Sequence, residues 1–137
     1  MQNKYVYLVL IVIGIALIAF SGFNGNTANF DENGWYSYDE GLRVSRELNK
    51  PMLIFISSPT CPFCLKMRED ILSDSEVKEY INTNFVPVYI DVSKEKPPFN
   101  VFSYPTFVVF YNGKVIDSWA GYAGKELFLK KLKSVKV

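Results

Sequence analysis

Histidine is absent from this chain, and cysteine occurs only twice in 137 residues. The first absence excludes a Ser-His-Asp triad, a Cys-His nucleophilic pair and any metal site built on imidazole. The second means that all cysteine chemistry must come from Cys61 and Cys64. A structural zinc takes about four Cys or His ligands, so no metal and no cofactor is expected. A charge excess is also missing: 15 Lys and Arg oppose 14 Asp and Glu, for a net charge of +1. That balance gives no footprint for nucleic acid and no solvating acidic tail. Internal repeats and low-complexity tracts are lacking as well. What the chain does have is apolar material, 49% hydrophobic and 16% aromatic, enough for the core of one domain.

That material is unevenly spread. Residues 5–20 read YVYLVLIVIGIALIAF without a charge, and Ser21, Gly22 and Phe23 extend the run. At ~1.5 Å per residue a helix over residues 5–23 reaches roughly 28 Å, near the ~30 Å hydrocarbon thickness of a bilayer. Lys4 precedes the run, and Asp31 and Glu32 are the first charges after it. The positive end should stay in the cytoplasm, which puts the remainder outside. Residues 1–23 therefore read as a single transmembrane helix anchoring the chain in the cell membrane. The rival reading is a cleaved signal peptide, with Ala19-Phe20-Ser21 as a poor small-x-small site, and a secreted product. A buried core helix would need protein on all sides, more than a domain of this size supplies. Residues 24–34 read as a polar linker, and residues 35–137 as the folded domain.

Within that domain the patterns alternate. Residues 38–49 carry helical spacing, with Ser37 or Asp39 as N-cap, Glu40 in capping-box position and Pro51 as a stop. Residues 52–56 (MLIFI) are a short apolar run suited to a strand buried on both faces. A turn over residues 57–60 leads to Pro62, which suits a first helical position. The helix should run through Leu65, Met67 and Arg68 towards Ile71, then restart at Asp74 or Ser75 through Val77, Tyr80 and Ile81. Residues 85–92 (FVPVYIDV) and 106–111 (TFVVFY) read as strands separated by a loop over 93–103. Asn112-Gly113 marks a hairpin with a type I′ turn, returning through a strand at 114–119. After a turn at 121–124, Leu127, Phe128, Leu132 and Val135 form the stripe of a closing helix. The β-α-β portion demands a parallel crossover and the hairpin an antiparallel edge. An α/β architecture follows, a mixed four-stranded sheet flanked by helices. The aromatic residues of the strands belong to its core, with Trp35 as a packing anchor.

The C-x-x-C spacing lets two sulfurs approach bonding distance across one turn at the start of a helix. Cys61 falls at the helix N-terminus, where unpaired N–H groups and the dipole favour an anion. A thiolate there is the reactive form, while Cys64 lies one turn inside, more buried. Cys61 is thus expected to exchange with substrate and Cys64 to resolve the mixed disulfide. Two blander readings compete. C-x-x-C is also half a zinc site, which here only a second molecule could complete. It could instead be a structural disulfide, but so small a loop makes a poor staple.

The segment WYSYDEGLRVSRELNKPMLIFISSPTCPFCLKM, residues 35–67, resembles secreted or membrane-tethered thioredoxin-like proteins. SYPTFVVFYNGKV, residues 103–115, is similar to the family's second signature, and Gly121 matches its glycine before the last helix. The likeness spans residues 35–135. It implies a thioredoxin fold, a cis Tyr104–Pro105 bond beside Cys61, and a substrate strand pairing with the backbone of Tyr104. Pro62, Phe63, Tyr104, Pro105 and Thr106 are then the substrate-binding residues, with Cys61 and Cys64 catalytic. Read without the resemblance, Pro105 is a loop proline ahead of a strand. The family's buried acid, six residues before the first cysteine, is here Phe55, so the proton acceptor for Cys64 is open among Lys66, Glu69 and Asp91. Cys-Pro-Phe-Cys is also similar to glutaredoxins, although their Gly-Gly pair is replaced by Asn112-Gly113-Lys114.

The expected function is thiol–disulfide exchange outside the cytoplasm, as reductase or isomerase. Its partners would be protein disulfides or dithiols and a membrane or soluble electron donor. The alternatives are a glutathione-dependent reductase and a tethered binding module with an idle dithiol.

Overall fold

A computed structural model describes residues 2–21 and 34–137. The sequence of elements is α1 (Gln2–Ser21), α2 (Tyr38–Leu48), β1 (Met52–Ser57), α3 (Pro62–Lys66), a π-helical turn (Met67–Leu72), α4 (Ser75–Asn84), β2 (Val86–Asp91), β3 (Thr106–Tyr111), β4 (Lys114–Ala120) and α5 (Lys125–Ser134). The expected linker at 24–34 lies outside the described residues except for Gly34. The expected transmembrane helix needs a correction of form. Residues 2–21 do make one 20-residue helix, but among the described residues no helix is long and apolar enough to cross a membrane. The described side chains of α1 are those of residues 3–13 and 15, all exposed.

The sheet order is β2-β1-β3-β4, with β1 parallel to β2, and β3 antiparallel to both β1 and β4. β1 is central and every one of its residues is buried, as its unbroken apolar run demands. Pro87 lies on β2, an edge strand, where a missing N–H costs little. Tyr36 partly covers that edge: its N–H donates to Pro87 O at 2.9 Å, and its carbonyl accepts from Tyr89 N–H at 2.9 Å. Asn112 and Gly113 turn the β3–β4 hairpin with φ of 49° and 78°, the pair of positive angles a type I′ turn requires.

The two sheet faces bury different side chains. Met52, Ile54 and Ile56 of β1 meet Val86, Val88, Ile90, Val108 and Val44 of α2. Leu53 and Phe55 point the other way, into a cluster with Phe107, Val109, Phe128 and the inner faces of α3, α4 and α5.

The helices depart from expectation in three places. Ser37 is the N-cap of α2, but its side chain makes no capping hydrogen bond, so the capping box does not close. α2 ends one residue early because Asn49 adopts the left-handed conformation, φ 53°, a C-terminal device that satisfies a free carbonyl. The helix after the dithiol is not α-helical throughout: it widens to a π turn at Met67–Leu72. The wider turn brings both Ile71 and Leu72 into the core beside Met67. α4 starts as the spacing suggests, with the Asp74 carboxylate accepting from Glu76 and Val77 N–H at 3.0 and 3.2 Å.

Candidate active site

β1 ends at Ser57, and the chain turns through Ser58–Thr60, Cys61 N–H donating to Ser58 O at 3.2 Å. Cys61 is the N-cap of α3, in extended backbone conformation, and Pro62 follows at a helical position that needs no N–H. Cys61 Sγ accepts the N–H of Cys64 at 3.1 Å, the bond an N-cap side chain makes to the third helical residue. A sulfur in that position is turned towards donors that stabilise it as an anion. The two cysteines are disulfide-bonded, with their Cα atoms 5.2 Å apart, ordinary spacing for such a bond. Cys64 is 1% exposed, and Cys61 is only partly covered. Of the two sulfurs, Cys61 is the one a macromolecule can reach.

The other site residues converge through the sheet. Thr106, first residue of β3, pairs with Ile56 near the end of β1 and with Ala120 at the end of β4. The loop before β3 and the turn after β4 therefore flank the dithiol at one end of the sheet. In that loop the Tyr104–Pro105 bond is cis. Pro105 is buried, while Tyr104 is exposed. Thr106 Oγ1 donates to Ser103 O at 2.6 Å and Gly121 N–H to Pro105 O at 2.8 Å, which ties the proline loop to the turn after β4. Phe63, between the cysteines, is 60% exposed.

Three residues escaped the sequence reading. Tyr122 reaches from the turn after β4 to α3, its ring 6.4 Å from that of Phe63 and 4.9 Å from Lys66 Nζ. Its signal was available: an aromatic one residue after the glycine that matches the family. Arg68 and Tyr89 lie on the opposite flank. With Ser57, Thr60, Cys61, Leu65 and Asp91 they line an open cleft of about 520 Å³. No local pattern links Arg68 to Tyr89, because the β-α-β crossover alone brings them together.

The candidates for the Cys64 proton are dispersed. Lys66 sits over the Tyr122 ring, and Glu69 is exposed. Asp91 shares the cleft with Cys61. Burial pushes its carboxyl up, but hydrogen bonds from Ser93 Oγ and N–H outweigh this, with Lys94 and Arg68 adding to them, and hold it below its usual range. Such an acid is a weak proton acceptor. Phe55, where the family has its acid, is 1% exposed and stacked on Phe107 at 5.1 Å.

The fold and the capped dithiol define the class, a thiol–disulfide oxidoreductase. The family follows from comparison: the chain belongs to the thioredoxin-like domain family, whose model matches residues 38–136. An uncharacterized protein of Archaeoglobus fulgidus is 36% identical over 112 residues, 82% of this chain and 86% of that one. The disulfide bond reductase DsbH of Chlamydia pneumoniae is 38% identical over 58 residues, 42% of this chain and 35% of that protein. Among solved structures, a thioredoxin from Thermus thermophilus superposes with a TM-score of 0.64 at 25% identity, covering 72% of this chain and 83% of that one.

Proposed function

We propose that the protein reduces or isomerises disulfides of other proteins outside the cytoplasm, cycling Cys61 and Cys64 between dithiol and disulfide. The observation that carries this is the capped, accessible Cys61 sulfur above a buried partner. In the reducing direction the Cys61 thiolate attacks one sulfur of a substrate disulfide. The substrate S–S bond breaks, and the departing thiolate takes a proton. Cys64 then loses its proton and attacks the Cys61 sulfur, releasing the second substrate thiol. Two electrons have passed to the substrate, and the Cys61–Cys64 bond has formed. Pro62, Phe63, Tyr104, Pro105 and Thr106 would receive the substrate segment as an added strand. The 58-residue likeness to a protein named as a disulfide bond reductase favours the reducing direction.

A membrane tether over residues 1–23 belongs to the same proposal, with residues 24–34 as linker and a membrane or soluble electron donor recharging the dithiol. Its support is the uncharged run at 5–20, preceded by Lys4, and the exposed apolar side chains of α1 from Tyr5 to Ile13. An impermeant maleimide applied to intact cells should label Cys61 after reduction. Labelling only after lysis would refute the outward placement.

Redox titration against glutathione tests the direction, since a potential near the ~−120 mV of strong oxidants excludes a reductase. A Cys64→Ser variant should hold substrates on Cys61 as mixed disulfides. If insulin reduction by the wild-type protein were no faster than by Cys61→Ser, the dithiol would be idle and the enzyme reading lost.

A further inference from the structure

Arg68 occupies the cleft that opens on Cys61, two helical turns along from it. Its guanidinium lies over the Tyr89 ring, 5.2 Å from the centroid. A stacked guanidinium keeps its N–H edge free for a planar acceptor. That edge has no ion-pair partner among the described residues. Asp91 shares the cleft and feels the Arg68 charge, but its Oδ1 accepts from Ser93 N–H and Oγ and it forms no ion pair with Arg68. Glu69 and Asp70, on the same helix as Arg68, are exposed. The cation is therefore held over a ring, partly buried in the cleft that Cys61 also lines, with its charge felt by Asp91 but no carboxylate within ion-pair distance among the described residues. Tyr89 and Leu65 supply apolar walls, and Thr60 and Ser58 supply hydroxyls.

We propose that Arg68 binds a carboxylate on the substrate, so that this site prefers disulfides whose attacked cysteine is flanked by Asp or Glu in an extended protein segment. A guanidinium–carboxylate pair in a partly covered cleft is worth more than an exposed one. It also fixes which way the segment lies across the dithiol. The inference rests on the oxidoreductase reading and deepens it by naming a substrate class.

The test uses the reduced full chain in detergent micelles. The substrates are two peptides, each carrying one cysteine as its 2-thiopyridyl disulfide, alike except for Glu or Gln two residues from that cysteine. Attack on the peptide sulfur releases thiopyridone, which reports the second-order rate. The Glu peptide should react about fivefold faster than the Gln peptide, equivalent to ~1 kcal/mol. In Arg68→Gln the ratio should fall to about one, with Arg68→Lys between, since a point charge replaces the fork. Rising salt should shrink the wild-type ratio, a readout that stands even if the variants fold poorly. The 2-thiopyridyl disulfide of glutathione offers the same carboxylate chemistry and the same leaving group on a small molecule. If it outpaced the Glu peptide, the assignment to a protein segment would fall. Equal rates for both peptides in the wild type, or a ratio that survives Arg68→Gln, would overturn the proposal while leaving the dithiol chemistry intact. Failure to react with either peptide would instead overturn the oxidoreductase reading.

Discussion

The two faces of the sheet are built from different materials. Beneath α2 the buried layer is aliphatic, Val, Ile and Met, with rings only at its partly buried rim, where Tyr38, Phe99 and Phe110 meet. The opposite face is aromatic: Phe55, Phe107 and Phe128 meet with ring centroids 5.0–5.1 Å apart along the series, and Trp119 stacks on Phe107 at 5.5 Å. Cys64 and Met67 sit in this second cluster. The active helix thus rests on the layer of large rings, while the aliphatic face carries no site residue. Flat rings offer much contact area for few torsions to freeze, which suits a surface that must hold one turn of helix in place while its sulfurs exchange partners.

Removing the reactive atom makes the sharpest distinction between the faces. Cys61→Ser should cost at least about a thousandfold in insulin reduction, the scale of losing a nucleophile. Its circular dichroism should match that of the reduced wild type, because the sulfur caps one turn and only borders the aromatic cluster, where the smaller hydroxyl leaves the rings in place. Next in size is the aromatic layer. Phe55→Ala should lose about 3–5 kcal/mol in urea unfolding, since Phe55 touches Phe107, Tyr89 and Trp35 at centroid distances of 5.1, 5.6 and 6.1 Å. A loss under ~1 kcal/mol would mean that the rings do not support the helix that carries the dithiol.

Much of this was legible in the residues. The apolar runs located β1, β2 and β3 to within a residue or so, Asn112-Gly113 marked the hairpin, and Cys61-x-x-Cys64 marked the helix start. Such signals are local: each strand or turn is specified by neighbours in the chain. The π turn at Met67–Leu72 was not legible, because it answers to what the helix must bury rather than to its own spacing. The unclosed capping box at Ser37 was missed for a related reason, as spacing permits that bond but does not compel it. Tyr122 and the Arg68–Tyr89 pair depend on contacts between distant segments, which only the assembled sheet supplies. The cis bond at Pro105 came from the family likeness and not from the physics of the segment.

The aliphatic face has its own weak point. Gly41 is buried in α2, and a Cβ built there would overlap Val88 Cγ2 and come within 3.3 Å of Met52 Sδ. Both neighbours are 0% exposed, so neither can step aside. Alanine normally favours a helix over glycine by about 1 kcal/mol, yet overpacking of this kind costs about 1–3 kcal/mol. Gly41→Ala should therefore lower the urea midpoint while leaving the rate of Cys61 exchange within about twofold of the wild type. A matching drop in exchange rate would show that the faces are coupled through β1, and the contrast between them would fail.

The smallest effect concerns how the aromatic face is closed at its rim. Lys125, at the start of α5, bridges Asp74 at 3.1 Å and Glu76 at 2.9 Å, joining α5 to the cap of α4. The Asp74 carboxyl is held below its usual value of 3.8, first by the hydrogen bond from Lys125 and then by that from Val77 N–H. A carboxyl whose folded pKa is depressed stabilises the protein above the unfolded value, and that contribution is lost as pH falls through the lower, folded value. Asp74→Asn should thus lower Tm by a few degrees at neutral pH, with the gap to the wild type closing as pH falls below 3.8 and the wild-type carboxyl also becomes neutral. Salt should narrow the gap only in part, because the pair is screened while the cap hydrogen bonds to Glu76 and Val77 are not. A Tm difference that persisted unchanged into acid would assign the effect to the shape of the cap and not to its charge, and the clamp would then contribute nothing to holding α5 against the rings.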